Sequence, residues 1–143
     1  MKRWERPPRP ATIYRFPYET RGGQKALEVV RDDTSGKKSI RQDYPTVSRE
    51  TPHRKAQINE IRSSILPYRY KEAIEAAAVK KSPIFIVEGE LCCDKLWEIG
   101  IPAVTFLGGS GQYRANGDYT TLFRACRVVL CPDRDEPGIA LMK

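Results

Sequence analysis

The sequence predicts an α/β chain in which a parallel sheet with flanking helices follows a small, basic, β-rich subdomain. Three observations predict it. From residue 84 onward, short apolar runs alternate with helical stretches, the pattern of parallel strands joined by crossover helices. Between residues 12 and 42, alternating segments are broken by two glycine turns, the pattern of an antiparallel meander. The charge divides near the same boundary. Residues 1–82 hold 19 Lys/Arg against 10 Asp/Glu, whereas residues 83–143 hold 6 against 8. The whole chain of 143 residues has room for one domain, or for two small ones sharing a core.

Each element follows from its residues. Residues 1–11 are rich in Pro and Arg without periodicity and predict an extended or disordered arm. Residues 12–82 predict the basic β-rich unit with its linking helix. Its strands are Thr12–Tyr18, Ala26–Arg31 and Lys38–Gln42, separated by Gly22-Gly23 and by the turn ending in Gly36. Depending on register, Arg15, Arg31, Lys38 and Arg41 would share its solvent face. Lys55–Ser64 fits a short helix or a loop. Lys71–Lys81 predicts a helix, with glutamates early and lysines late to complement its dipole, and Ser82-Pro83 ends it.

Residues 83–143 predict the parallel sheet. Ile84–Val87 reads as a strand, Leu91–Ile99 as a helix, Ala103–Leu107 as a strand, and Gly108–Gly111 as a glycine loop. Asp118 or Thr120 starts a further short helix through Ala125. Arg127–Cys131 is the third strand, and Ile139–Lys143 reads as the first turn of another helix.

Several function classes are excluded at this level. No apolar run approaches the roughly 20 residues of a spanning helix, and the N-terminus lacks the apolar core of a secretory signal. The expectation is a soluble cytoplasmic protein without a membrane partner. Cys92, Cys93, Cys126 and Cys131 form no C-x-x-C pair, which supports neither a zinc ribbon nor a disulfide framework. They predict reduced thiols packed as small hydrophobes. No P-loop occurs, and His53, the single histidine, lacks a nucleophile setting and reads as an exposed loop residue. Trp97 reads as core.

The acidic residues are the strongest chemical signal. Val87-Glu88-Gly89-Glu90 follows the first core strand, and Asp133-Arg134-Asp135 follows the third. In open α/β sheets ligands gather beyond the carboxyl ends of the strands, so carboxylates from two strand ends can converge there. Such oxygens suit Mg²⁺, which keeps waters that phosphate oxygens can replace. Gly89 would let backbone or a substrate phosphate approach closely.

The run Ile84–Glu90, then Asp94-Lys95-Leu96, Gly100–Val104, Gly108-Gly109 and Val128–Gly138 resembles the TOPRIM domain, most of all that of phage- and plasmid-type DnaG-like primases and primase-helicases. The likeness covers residues 84–143 in order and spacing. Residues 12–82 are more loosely similar to the basic segment that precedes it, through Gly36-Lys37-Lys38, Gln42 and Leu66-Pro67-Tyr68-Arg69.

The resemblance implies a DNA primase core that makes short RNA primers on single-stranded DNA from NTPs. Glu88, Asp133 and Asp135 would be its catalytic and Mg²⁺-binding carboxylates, with Mn²⁺ as a substitute. Glu90 and Asp94 match further acidic positions. Lys37, Lys38, Arg41 and Arg69, with Gly108 and Gly109, would contact template or nucleotide phosphates. Tyr14, Tyr18, Tyr44, Tyr68 and Tyr70 would either stack on bases or fill the core, with core filling favoured for most of them. A replicative helicase, in cis beyond residue 143 or in trans, is the implied partner.

Two departures stand out. No cysteine precedes Cys92, so the family's N-terminal zinc module is not matched, and the TOPRIM pattern breaks off at Lys143 as in a fragment. Two other readings remain: another TOPRIM enzyme, nuclease or topoisomerase-like, and a non-catalytic single-stranded-DNA-binding fragment.

Overall fold

Two three-stranded sheets organise the chain, one antiparallel and one parallel. The computed structural model describes residues 12–108 and 120–133. The predicted arm, Gly109, Asp118, Asp135 and the helix start at Ile139 lie outside the described residues.

β1 (Ile13–Glu19), β2 (Lys25–Asp32) and β3 (Ser39–Asp43) form the predicted meander. Its two turns pass through Gly23 at φ 85° and Gly36 at φ 76°, a left-handed backbone that glycine adopts without steric cost. The register brings Phe16, Val29 and Gln42 into one cross-strand row, and Arg15, Val30 and Arg41 into the adjacent one. Side chains alternate between faces along a strand. The register therefore corrects the expectation that four basic residues share a face. Arg31 and Lys38 lie on the face of Phe16 and Val29, and Arg15 and Arg41 lie on the other.

The segment between the sheets is helical where the sequence left helix and loop open. α1 (Arg54–Ser64) buries none of its residues fully, but Ile58 and Ile61 pack against the core. After it, Ile65, Leu66, Pro67 and Tyr68 are all buried. The Leu66 N–H donates to the Glu19 carbonyl at 2.8 Å, and the Tyr68 N–H donates to the Thr105 carbonyl at 2.9 Å. This short stretch is thereby hydrogen-bonded to both sheets. α2 (Tyr70–Lys80) carries Glu72 in its first turn and Lys80 in its last, and ends at Lys81 in a left-handed conformation.

The parallel sheet consists of β4 (Ile84–Val87), β5 (Ala103–Thr105) and β6 (Val128–Leu130), in the order β5-β4-β6. β5 is shorter than its apolar run because Phe106 and Leu107 leave the ladder yet stay buried, and β6 is shorter than its run as well. α3 (Glu90–Glu98) joins β4 to β5, and a 3-10 turn (Thr120–Phe123) precedes β6 where a short helix is expected.

The pleat sorts the core. Ile84, Ile86, Val104 and Val128 pack with Ala73 and Ala77 of α2 and with Leu122 and Phe123. Phe85, Val87 and Ala103 pack toward Cys93 and Leu96 of α3 and the meander residues Phe16, Tyr18 and Leu27. This second cluster draws on both sides of residue 82, so the meander and the parallel sheet share one core. Among the described residues, no helix is long and apolar enough to cross a membrane.

Candidate metal and polyanion site

The strand order fixes where a ligand would sit. From β4 the chain passes to β5 on one side, then returns to β6 on the other. β4 is therefore the switch point, and crevices of open α/β sheets form at the carboxyl ends of strands there. Glu88 follows β4, and Asp133 follows β6. The Asp133 N–H donates to Glu88 Oε1 at 2.8 Å. Two acidic turns 45 residues apart thus meet at one point.

Around this point lies a cleft of about 770 Å³. One wall carries Glu88, Gly89, Glu90, Gly108 and Asp133. The facing wall is the meander's inner face, with Arg31, Lys38, Ile40 and Gln42. A Cβ built on Gly89 would meet nothing within 4 Å, so this corner is open to a ligand. Gly108 turns the chain at φ 74° beside it.

The predicted acidic set divides. Glu90 lines the cleft, but its Oε1 accepts a hydrogen bond at 2.8 Å from Tyr18, which is buried in the meander. Asp94, one turn further along α3, accepts from the Tyr68 hydroxyl at 3.1 Å and from Arg69 at 3.2 Å. Burial and then the Asp94 charge push the Tyr68 phenol far above its ordinary value, so it remains a donor.

Arg69 is similarly engaged. Its guanidinium donates to Glu72 at 2.7 Å and lies 4.5 Å from the Trp97 ring centre. Burial opposes its charge, but the Glu72 hydrogen bond and the Glu72 and Asp94 carboxylates outweigh that and raise its value. Arg69 lines a separate hollow of about 400 Å³ with Lys71 and Glu72.

The predicted basic contacts divide as well. Lys38 lines the cleft, and among the described residues it has no ion pair. Lys37 is exposed in the β2–β3 turn, while Arg41 pairs with Asp43 at 3.2 Å on the opposite face. Arg31, which is ion-paired with Asp33 at 2.9 Å, and Gln42 reach the cleft although neither was singled out as a phosphate or base contact. Their spacing held the clue: Arg31 is two residues from Val29, and Gln42 two from Ile40. Only the register shows which face they share.

Most of the tyrosines serve the core. Tyr18, Tyr44 and Tyr68 are buried, and half-buried Tyr70 donates to the Leu122 carbonyl at 2.7 Å. Trp97 is half-buried against both clusters, with its Nε1 donating to the Ala103 carbonyl. His53 is exposed at the start of α1. All four thiols are free, and burial followed by the Asp94 charge pushes the Cys93 thiol well up.

Among the described residues, no group of three or more His, Cys, Asp or Glu side chains is arranged to hold a metal. Mg²⁺ asks for less, because it commonly takes one or two carboxylates and fills its shell with water and phosphate oxygens. Glu88 and Asp133 are two hard oxygen donors at an open cleft, and they fit that use. Comparisons of the chain with protein-family models, with characterised proteins and with solved structures find no match.

Proposed function

We propose that this chain is a TOPRIM-type nucleotidyl-transfer core of the primase kind, making short RNA primers on single-stranded DNA. One observation carries the reading. The Asp133 N–H bonded to Glu88 Oε1 draws two strand-end carboxylates together at the sheet's switch point, opposite Arg31 and Lys38.

Asp133 and Asp135 would hold Mg²⁺ with Glu88 beside them. The cation would neutralise the triphosphate and stabilise charge on the departing pyrophosphate. The remaining work falls to the chain's own groups. Glu88 Oε1 is pinned to the Asp133 backbone, and among the described residues Oε2 has no hydrogen-bond partner. Oε2 is thus the oxygen available to accept the proton of an attacking 3′-hydroxyl. Lys38 supplies positive charge for the phosphodiester backbone, an attraction that salt weakens, with the Asp33-paired Arg31 beside it. Gly89 leaves room for a phosphate beside the start of α3. A helicase, in cis or in trans, would deliver the template.

The test is labelled-nucleotide incorporation on single-stranded DNA with Mg²⁺ or Mn²⁺, comparing the wild type with Asp133→Ala/Asp135→Ala. Short products from the wild type alone are expected. Primers from the double variant would sink the site assignment. A cleaved template would point to a nuclease using the same carboxylates. Salt-sensitive DNA binding without chemistry would point to a binding module.

A further inference from the structure

We infer that the Gln42 side-chain amide is a fixed hydrogen-bond donor for the acceptor edge of a nucleobase in this cleft, oriented by Arg62 and Tyr44. The inference rests on the nucleotide reading of the cleft and adds a base-recognising group to it.

Gln42 Oε1 accepts from Arg62 Nη2 at 2.7 Å and from the Tyr44 hydroxyl at 2.7 Å. Arg62 Nε closes the triangle by donating to the same hydroxyl at 2.9 Å. A guanidinium has donors and no acceptor, so the oxygen end of the amide must face Arg62. The two ends of this amide are therefore not interchangeable. Among the described residues, Nε2 has no partner. It is the one polar side-chain atom of Gln42 left for a ligand, and it can only donate.

Its surroundings suit a base. Gln42 lines the cleft in the same cross-strand row as Phe16 and Val29, and Ile40, 55% exposed, offers apolar surface beside it. Phosphates have a better partner in the charged Lys38. An amide already held by two partners loses little rotamer freedom on binding. A ligand presenting a donor there would leave N–H facing N–H, an arrangement that discriminates strongly between ligands. Arg62 and Tyr44 act as positioning residues, which gives α1 a purpose beyond its weakly buried face.

The test is calorimetric binding of ATP, GTP, CTP, UTP and inorganic tripolyphosphate to the full chain. Wild type is compared with Gln42→Met, a neutral variant of similar shape, and with Gln42→Glu, which keeps an oxygen for Arg62 and Tyr44. The readout is each nucleotide's affinity relative to tripolyphosphate, so a charge effect common to both divides out. At least one nucleotide is expected to bind the wild type more tightly than tripolyphosphate. That advantage should fall roughly fivefold in whichever variants remain folded by circular dichroism, the loss expected for one hydrogen bond. An unchanged ratio in a folded variant, or a wild type that binds nucleotides and tripolyphosphate equally, overturns the Gln42 assignment alone. A wild type that binds neither overturns the nucleotide reading as well.

Discussion

Glu88 and Asp133 stand against Glu90 and Asp94 as two pairs of carboxylates with opposite commitments. Asp94 is held by Tyr68 and Arg69, and one oxygen of Glu90 is held by Tyr18. These bonds join α3 to the linking segment and to the meander, so both residues fasten the two sheets together. Among the described residues Glu88 is held only by a backbone N–H, and the exposed Asp133 supplies that N–H while lining the same cleft. Acidic residues only two to six positions apart thus differ in what holds them, a side-chain donor from another element or a backbone N–H. What separates them is whether a buried tyrosine or an arginine lies opposite.

The sharpest way to break this comparison is Glu88→Gln. The amide oxygen still accepts the Asp133 N–H, so the fold should hold, while nucleotide incorporation should fall by about 100-fold or more, on the scale of losing a catalytic acid–base group. A large loss of thermal stability in this variant would move Glu88 among the fasteners.

Asp94→Ala is the converse. It leaves the hydroxyl of the buried Tyr68 without its acceptor and Arg69 with Glu72 as its remaining ion-pair partner, and should cost about 1–2 kcal/mol in urea unfolding. The partial exposure of the ion pair keeps the figure at this level. Unchanged stability would show that Asp94 does not fasten α3.

A smaller effect separates the two faces of the meander. Lys38→Ala should lower the salt dependence of single-stranded DNA binding by about one phosphate contact, whereas Arg15→Ala, whose guanidinium is paired with Glu28 on the other face, should leave it unchanged. Equal effects on both faces would mean that the cleft is not the polyanion path.

The smallest effect reports directly on Asp133. Burial, then the charges of Asp133 and Cys131, raises the Cys92 thiol above its ordinary value. Asp133→Asn removes one raising charge, so Cys92 alkylation should begin at lower pH than in the wild type. An unmoved profile would mean that Asp133 does not face α3.

Much of this was legible in the sequence because strong local signals carried it. The apolar runs at Ile84–Val87 and around Val128 marked the strands, and strand ends are where parallel sheets gather ligands. Glu88 and Asp133 could therefore be paired before any geometry was known. The meander was legible for a similar reason, since its glycines fall where the backbone turns left-handed.

Long-range partners were not legible. Arg31 and Arg41 look alike in the sequence, and only the register assigns them to opposite faces. Arg69 looks like a phosphate contact until Glu72, Asp94 and Trp97 are seen around it. The Gln42–Arg62 contact spans 20 residues across a helix that the sequence left undecided. Side-chain type alone does not tell a cation facing a ligand from one already paired.

The central claim is that the ends of β4 and β6 form one metal-binding carboxylate site, while Asp94 on α3 does not belong to it. Mn²⁺ binding to the full chain, followed by electron paramagnetic resonance with Mg²⁺ competition, tests it most directly. The expected result is Mn²⁺ binding by the wild type and by Asp94→Asn, displaced by Mg²⁺ and strongly weakened in Glu88→Gln and Asp133→Asn. Equal Mn²⁺ binding by the wild type and Glu88→Gln would contradict the claim.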